Sequence, residues 1–205
     1  MFVGVSGAAG YSEAAPALLQ VTLSFAEVHR PVLRLLPTAP RRVLDIGSGS
    51  GRDAVAFAAM GHDVVAVEPT DQLRLPAKAM YSSRSIEWVD DALPDLKSLA
   101  WSPTFDLVMI TGVWMHLDET ERRRAMPRLA GLMKRGGLAI MSLRHGPVPP
   151  GRRMFEVSAV ETIALAGAHG MFPILNLTAD SLQEANRRAG VTWTRLAFEK
   201  STVAS

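Results

Sequence analysis

The amino-acid sequence predicts an α/β fold: a doubly wound, mostly parallel sheet with helices on both faces. Three observations predict it. Short apolar runs recur from residue 42 onward without polar alternation, as in strands covered on both sides. Helix-like stretches separate those runs, which is the pattern of parallel strands joined by crossovers. A glycine cluster, "GSGSG" at 47–51, stands directly behind the first run and opens a helix. The chain has 205 residues, 48% of them hydrophobic, which suits one domain with a full-sized core.

Taken in order, residues 1–40 read as a helical segment packing on the core, with breaks near Pro16, Pro31 and Pro37. Residues 41–200 read as the α/β domain. "RVLDIG" (42–47) is the first strand, followed by a helix over 53–62 that Gly61 closes. "DVVAVEP" (63–69), "SIEWVD" (85–90), "FDLVMIT" (105–111) and "GLAIMSLR" (137–144) are the next four strands. A helix spans 119–134, with a kink or restart expected at Pro127. "GPVPPGRR" (146–153) has turn chemistry and forms a loop. "MFPILNLT" (171–178) and "VTWTRLAFEK" (191–200) are two strands around a short helix, and the chain frays after residue 200. Ser50 with Asp53, Asp118 with Glu121, Ser158 with Glu161 and Ser181 with Glu184 have capping-box spacing, in which side-chain oxygens accept from orphan amides.

Composition excludes several classes. The 22 basic and 20 acidic residues leave a net charge of +2, too balanced to announce a nucleic-acid partner. The basic cluster Arg122, Arg123, Arg124, Arg128, Lys134 and Arg135 reads as a solvated helix face. With no cysteine, disulfides, thiolate zinc sites and cysteine nucleophiles are excluded, and no metal is expected. No apolar run approaches the roughly 18 residues of a membrane span. "MFVGVSGAAG" lacks a charged n-region and a clear h-region, so no signal peptide is expected and the cytoplasm is the default compartment.

The glycine cluster marks a ligand site. Open α/β sheets bind ligands at the carboxyl ends of their strands. Gly47, Gly49 and Gly51 permit positive φ and close backbone approach at a helix N-terminus that favours anions. The spacing is G-x-G-x-G, because Arg52 stands where a dinucleotide fingerprint requires its third glycine. No Lys follows, so a phosphate loop is excluded as well. Asp45, two residues before the first glycine, repels a pyrophosphate but attracts an ammonium, directly or through water. The loop thus suits a ligand bearing both carboxylate and amine. Glu68 ends the second strand, 21 residues after Gly47, where an acceptor-only carboxylate suits two ribose hydroxyls. That feature alone does not separate NAD from other adenosyl ligands. In "WVDDALPDL" (88–96), Asp91 is placed to accept from an adenine amino group and the Ala92 amide to meet a ring nitrogen.

These residues together resemble the class I S-adenosylmethionine-dependent methyltransferases. "VLDIGSGSG" is similar to the family's first motif, "VVAVEP" to its second and "DDAL" to the acidic turn after its third strand. "FDLVMITGVWMHL" resembles the fourth-strand region, and "LMKRGGLAIMS" the helix, turn and strand usually written with Lys-Pro-Gly-Gly. The resemblance covers residues 40 to 145 and implies a seven-stranded sheet of order 3-2-1-4-5-7-6 with the seventh strand antiparallel. It implies S-adenosylmethionine as cofactor. Gly47, Ser48, Gly49, Ser50, Gly51 and Arg52 would line its methionine part and ribose. Asp45 would face its ammonium, and Glu68 with Pro69 its ribose hydroxyls. Asp91 or Asp90, with Ala92, would read adenine, and Thr111 would sit under the sulfonium. Asp90 stands where many members have glycine, so which of the two acids faces the ligand stays open. Arg135 replaces the usual proline.

Methyl transfer from a sulfonium needs alignment and exclusion of water, and a base only for a protonated acceptor. No catalytic residue is therefore required. His116 in "TGVWMHLDE" and His145 in "SLRHGP" are candidate bases or substrate contacts, with a structural histidine as the plainer role. Tyr11 and the first helices are candidates for closing over the cofactor, and Arg152 and Arg153 for meeting an acidic acceptor. Trp114 and Met115 belong to the core or a pocket wall. Strand four lacks an Asn-Pro-Pro-Tyr-type ending, which points away from base methylation and toward a small-molecule acceptor. Two rival functions remain: a non-catalytic binder of the same cofactor, and an NAD(P)-dependent oxidoreductase.

Overall fold

A computed structural model of the chain describes residues 8, 10–18, 23–82 and 84–203. The seven strands are β1 (Arg42–Ile46), β2 (Asp63–Val67), β3 (Ile86–Val89), β4 (Phe105–Thr111), β5 (Met133–His145), β6 (Met171–Asp180) and β7 (Thr192–Lys200). They form one sheet of order β3-β2-β1-β4-β5-β7-β6. β7 runs antiparallel to both its neighbours, and every other pairing is parallel. This is the doubly wound arrangement expected. The helices are α1 (Tyr11–Leu18), α2 (Phe25–His29), α3 (Arg52–Ala59), α4 (Asp71–Met80), α5 (Glu119–Leu132), α6 (Ala159–Gly167) and α7 (Glu184–Arg188). No described helix is long and apolar enough to cross a membrane.

The strands read as unbroken apolar runs because the sheet is buried on both faces. Leu44, Ile46, Val65, Val67, Val108 and Ile110 belong to one core cluster, together with α5 residues such as Met126 and Leu129. Their chain neighbours Val43, Val64, Ala66, Leu107 and Met109 belong to the other, with Phe57 of α3 and Val32. Adjacent residues thus serve opposite cores, as a two-residue period dictates. The described N-terminal helices add to this layer. α1 packs against α4, and α2 against α3, where Phe25 meets Phe57 edge-on with ring centroids 5.1 Å apart.

Several local expectations need correction. α5 runs through Pro127 without a restart. Pro127 lies on the exposed side of the helix, where water can satisfy the carbonyl left without a donor. Pro16 likewise lies inside α1 and breaks nothing, whereas the chain does leave the helix at Pro31 and Pro37. Of the four pairs expected, only Asp118–Glu121 closes in both directions. Ser158 accepts from the Glu161 amide, but the Glu161 carboxylate turns away to Arg122. Ser50 caps nothing, because Gly51 in the left-handed region (φ +84°) takes the N-cap position of α3. Ser181 precedes α7, whose N-cap is Gln183. A complete box at Ser24 and Glu27, which the sequence analysis missed, caps α2. The helical reading of residues 1–7, 9 and 19–22, and the frayed reading of 204 and 205, lie outside the described residues.

The basic cluster is no open cationic face. Arg122 is buried, donating to Glu161 and to the Leu117 carbonyl, and so clips α5 to α6. Arg123, Arg124 and Lys134 pair with Glu119, Asp95 and Asp106, and Arg128 donates to the Asp95 and Leu96 carbonyls. Glu161→Gln leaves the buried Arg122 charge without its counter-ion. Urea unfolding should then show stability lowered by about 1–3 kcal/mol; an unchanged midpoint would mean that this clip contributes nothing.

Candidate active site

The sheet order places one crevice. β1 lies between β2 and β4, and its crossovers leave in opposite directions, so the carboxyl ends of β1 and β4 flank a switch point. A cavity of about 140 Å³ opens there. Its walls are Gly47 and Gly49 from the loop, Glu68 and Pro69 after β2, Asp91 and Ala92 after β3, and Thr111 to Val113 after β4. Tyr11 of α1 and His116 complete it.

The three glycines all have positive φ but do different things. Gly47 (φ +69°) has no room for a side chain, since a Cβ would stand 2.4 Å from Val113 Cγ2. Gly51 is equally crowded, with Trp88 2.7 Å from the same point. Gly49 (φ +55°) faces open space, its nearest neighbour in that direction being the Gly47 carbonyl at 4.0 Å. Gly47 and Gly51 are therefore demanded by packing, and Gly49 by the cavity. The Gly49 amide donates to Glu68 Oε2 and the Thr70 amide to Oε1, both at 2.9 Å, so one buried carboxylate ties the loop to the end of β2.

The other predicted residues divide. Asp91 lines the cavity, while its carboxylate accepts from the Ala92 amide at 2.7 Å and from the Ser98 amide at 2.6 Å. Asp90 does not line it and pairs outward with Arg74 at 3.2 Å. Asp45 is 1% exposed, off the cavity wall, and its Oδ2 has no partner. Burial, reinforced by the Asp53 charge, raises its carboxyl well above the usual range. Burial would also raise Asp53, but hydrogen bonds and charges from His29 and Arg52 outweigh it and hold that carboxyl low. Ser48 is buried with its hydroxyl unpartnered, and Ser50 and Arg52 line a shallow outer pocket beside Phe25. His145 is elsewhere: it bonds Thr194 Oγ1 at 2.8 Å and lines a separate pocket with Arg144.

A second cavity, of about 350 Å³, adjoins the first. Tyr11, Thr111 and Gly112 line both and so form the partition between them. Arg52, Trp193 and Arg195 are among its other walls.

Residues 43–137 match the methyltransferase-domain family. The sheet order, with its antiparallel β7, is that of the class I methyltransferase fold. An uncharacterized methyltransferase of Mycobacterium tuberculosis is 32% identical over 105 residues, covering 50% of this chain. The chain spans only 40% of that relative's length. Among solved structures, 1,6-didemethyltoxoflavin-N1-methyltransferase from Burkholderia thailandensis, with 1,6-didemethyltoxoflavin and S-adenosylhomocysteine bound, superposes with a TM-score of 0.66 at 20% identity, over 94% of this chain and 79% of its own. Magnesium protoporphyrin IX methyltransferase from Synechocystis, with S-adenosylhomocysteine bound, does so with a TM-score of 0.70 at 15% identity, over 94% and 95%.

At the mouth of the switch-point crevice stands a pair, buried His116 and half-buried Tyr11, that the sequence only half disclosed. His116 Nδ1 lies 2.7 Å from the Arg153 carbonyl, and its Nε2 lies 2.8 Å from Tyr11 Oη. A carbonyl only accepts, so Nδ1 carries the proton; in the neutral ring Nε2 then accepts from the tyrosine hydroxyl. Burial holds the histidine pKa down, and the Arg152 and Arg153 charges add to this. Arg152 stacks 3.6 Å from the centre of the Tyr11 ring, and Arg153 is tied to Asp118 and Glu121. Spacing in sequence marked His116, but 105 residues separate it from Tyr11, and only the fold joins them. Trp114 and Met115 are core. Because folded His116 resists protonation, the unfolded chain binds more protons below about pH 6.5, and stability falls as pH falls. His116→Asn should lose less stability between about pH 7.5 and about pH 5.5 than the wild type does, measured by urea titration; an identical loss would show that His116 protonates freely in place.

Proposed function

We propose that this chain is an S-adenosylmethionine-dependent methyltransferase that acts on a small-molecule acceptor. The observation that carries the proposal is the first cavity: it lies at the switch point, is walled by bare main chain at Gly49 and bounded by the Glu68 carboxylate. S-adenosylhomocysteine accompanies the fold neighbours from Burkholderia thailandensis and Synechocystis, and both are named for small or macrocyclic acceptors.

The residues present suit that cofactor. Gly49 offers the one stretch of loop that a ligand can approach with no side chain between. Each Glu68 oxygen accepts one amide and retains a lone pair for a ribose hydroxyl. Asp45 lies behind the loop with one carboxyl oxygen unpartnered, and an ammonium reached through water would favour its ionised form against the burial that raises it. Asp91, rather than the outward Asp90, is the acid beside the adenine end, with Ala92 and Pro69 as walls. Gly47, Ser48, Ser50, Gly51 and Arg52 shape the loop, and Thr111 stands at the partition toward the acceptor. We read residues 1–40 as a cover and 41–200 as the catalytic domain.

When bound, the cofactor supplies an activated methyl on a positive sulfur. The acceptor's nucleophilic atom gains that carbon as the carbon–sulfur bond breaks onto sulfur. A proton carried by the acceptor passes to Tyr11 Oη as the tyrosine's own proton passes to His116 Nε2, leaving the tyrosine neutral and the histidine protonated. α1 and Tyr11 keep water from the partition.

In thermal unfolding, S-adenosylhomocysteine at about 100 times its Kd should stabilise the chain by about 2.7 kcal/mol, and NADH should not. Stabilisation by NADH alone would contradict the proposal, as would failure to form S-adenosylhomocysteine from S-adenosylmethionine in any pool of small metabolites. Alanine at two neighbouring glycines separates packing from binding. Gly47→Ala, driven into Val113, should cost mainly stability. Gly49→Ala should cost about 1–2 kcal/mol of backbone strain yet lower cofactor affinity about tenfold or more, read by calorimetry.

A further inference from the structure

The second cavity has a charge that the protein leaves unanswered. Arg195, on β7, lines it. Two guanidinium nitrogens, Nε and Nη1, are closed to solvent and have no hydrogen-bond partner, and Nη2 reaches only the Val28 carbonyl at 3.4 Å. Among the described residues no carboxylate forms an ion pair with it. The neighbouring cation differs: Arg52 Nε lies 2.6 Å from Asp53, which also holds His29 at 2.8 Å. The acids on the same cavity are committed or peripheral. Glu27 accepts from Ser24 in the cap of α2, and Asp180 is exposed at the end of β6. A desolvated guanidinium without a counter-ion is costly, and a bound anion removes the cost.

We infer that the acceptor bears a single carboxylate, which Arg195 binds, on an apolar body seated against Trp193 and Leu177. The inference rests on the methyltransferase reading of the first cavity. Three observations set the class. Arg30 on the same wall is exposed to solvent, so the one partly buried cation there without an ion pair is Arg195, which matches one negative charge and favours a carboxylate over a phosphate dianion. Trp193, Leu177 and Val28 supply apolar wall on the same cavity, with the Trp193 ring 5.5 Å from the Arg195 guanidinium carbon. A volume of about 350 Å³ accommodates a small molecule but no polymer segment of any length. The partition of Tyr11, Thr111 and Gly112 then fixes polarity: the methyl-accepting oxygen or nitrogen lies at the partition, and the carboxylate lies away from it. Burial and the nearby Arg52 charge depress the Arg195 pKa to about 10, against a smaller opposing pull from the Asp53 charge.

Calorimetry on the full chain tests this, with S-adenosylhomocysteine added first. Benzoate and indole-3-acetate are then compared with their uncharged amides and with phenyl phosphate. Both carboxylates, or the one that fits, should bind at least about tenfold more tightly than the matching amide, and more tightly than phenyl phosphate. Arg195→Met should abolish that preference while leaving S-adenosylhomocysteine affinity unchanged, and Arg195→Lys should retain part of it. Should Arg195→Met fail to fold, the wild-type comparison decides alone. Equal binding of acid and amide, a preference for phenyl phosphate, or a carboxylate preference that survives in Arg195→Met would overturn the inference with the methyltransferase reading intact. Absence of S-adenosylhomocysteine binding to the wild type would instead overturn that underlying reading.

Discussion

The site hangs on one carboxylate. Glu68 is nearly buried, yet both its oxygens are engaged by main-chain amides, those of Gly49 and Thr70. Those two bonds join the glycine loop after β1 to the start of α4. Arg74 of α4 closes the same unit by donating to the Glu68 carbonyl at 2.6 Å. Without the acid, two buried amides lose their acceptor, and the loop loses what holds it against β2. The alternate glycines permit the loop's left-handed turns, but the acid selects them. A residue proposed to hold a ribose is thus also the residue that shapes the cavity, and the two roles use different lone pairs.

Much of the fold was legible because its signals are local. The mostly apolar runs at 42–47, 63–69 and 105–111, short and bounded by turn residues, read as strands buried on both faces, and the resemblance of the motifs implies the strand order. The glycine loop was legible as a close-approach site, but the division of labour within it was not. That Gly47 answers to Val113 and Gly51 to Trp88 depends on side chains 37 or more residues away, brought there by the crossovers. Capping failed where tertiary demand exceeded local preference. Asp53 abandons its cap role because His29 and Arg52 hold it, and Glu161 abandons its own for Arg122. His145 was placed by its position after β5, but antiparallel β7 draws it to Thr194 instead. Arg195 carried no signal in β7, whose sequence TWTRLAFEK keeps no clean alternation of polar and apolar residues; its meaning lies in a missing partner, which only the fold reveals.

The two cavities divide the chemistry between them. On the first side the groups are acceptors, with Glu68 and Asp91 on the wall and Asp45 behind the loop, suited to a ligand rich in hydroxyls and amines. On the second side the unmatched group is a donor, Arg195. Tyr11 stands between, its hydroxyl held by a neutral histidine and its ring covered by Arg152. That residue comes from α1, outside the matched residues 43–137, so the segment before them adds a third member to the partition that Thr111 and Gly112 begin.

The most direct measurement is a crystal structure of the full chain grown with S-adenosylhomocysteine. The account predicts the nucleoside in the switch-point cavity, its ribose hydroxyls on Glu68 and its amino-acid end running along the Gly49 main chain. Density for the compound at any other place, or a ribose oriented away from Glu68, would contradict it.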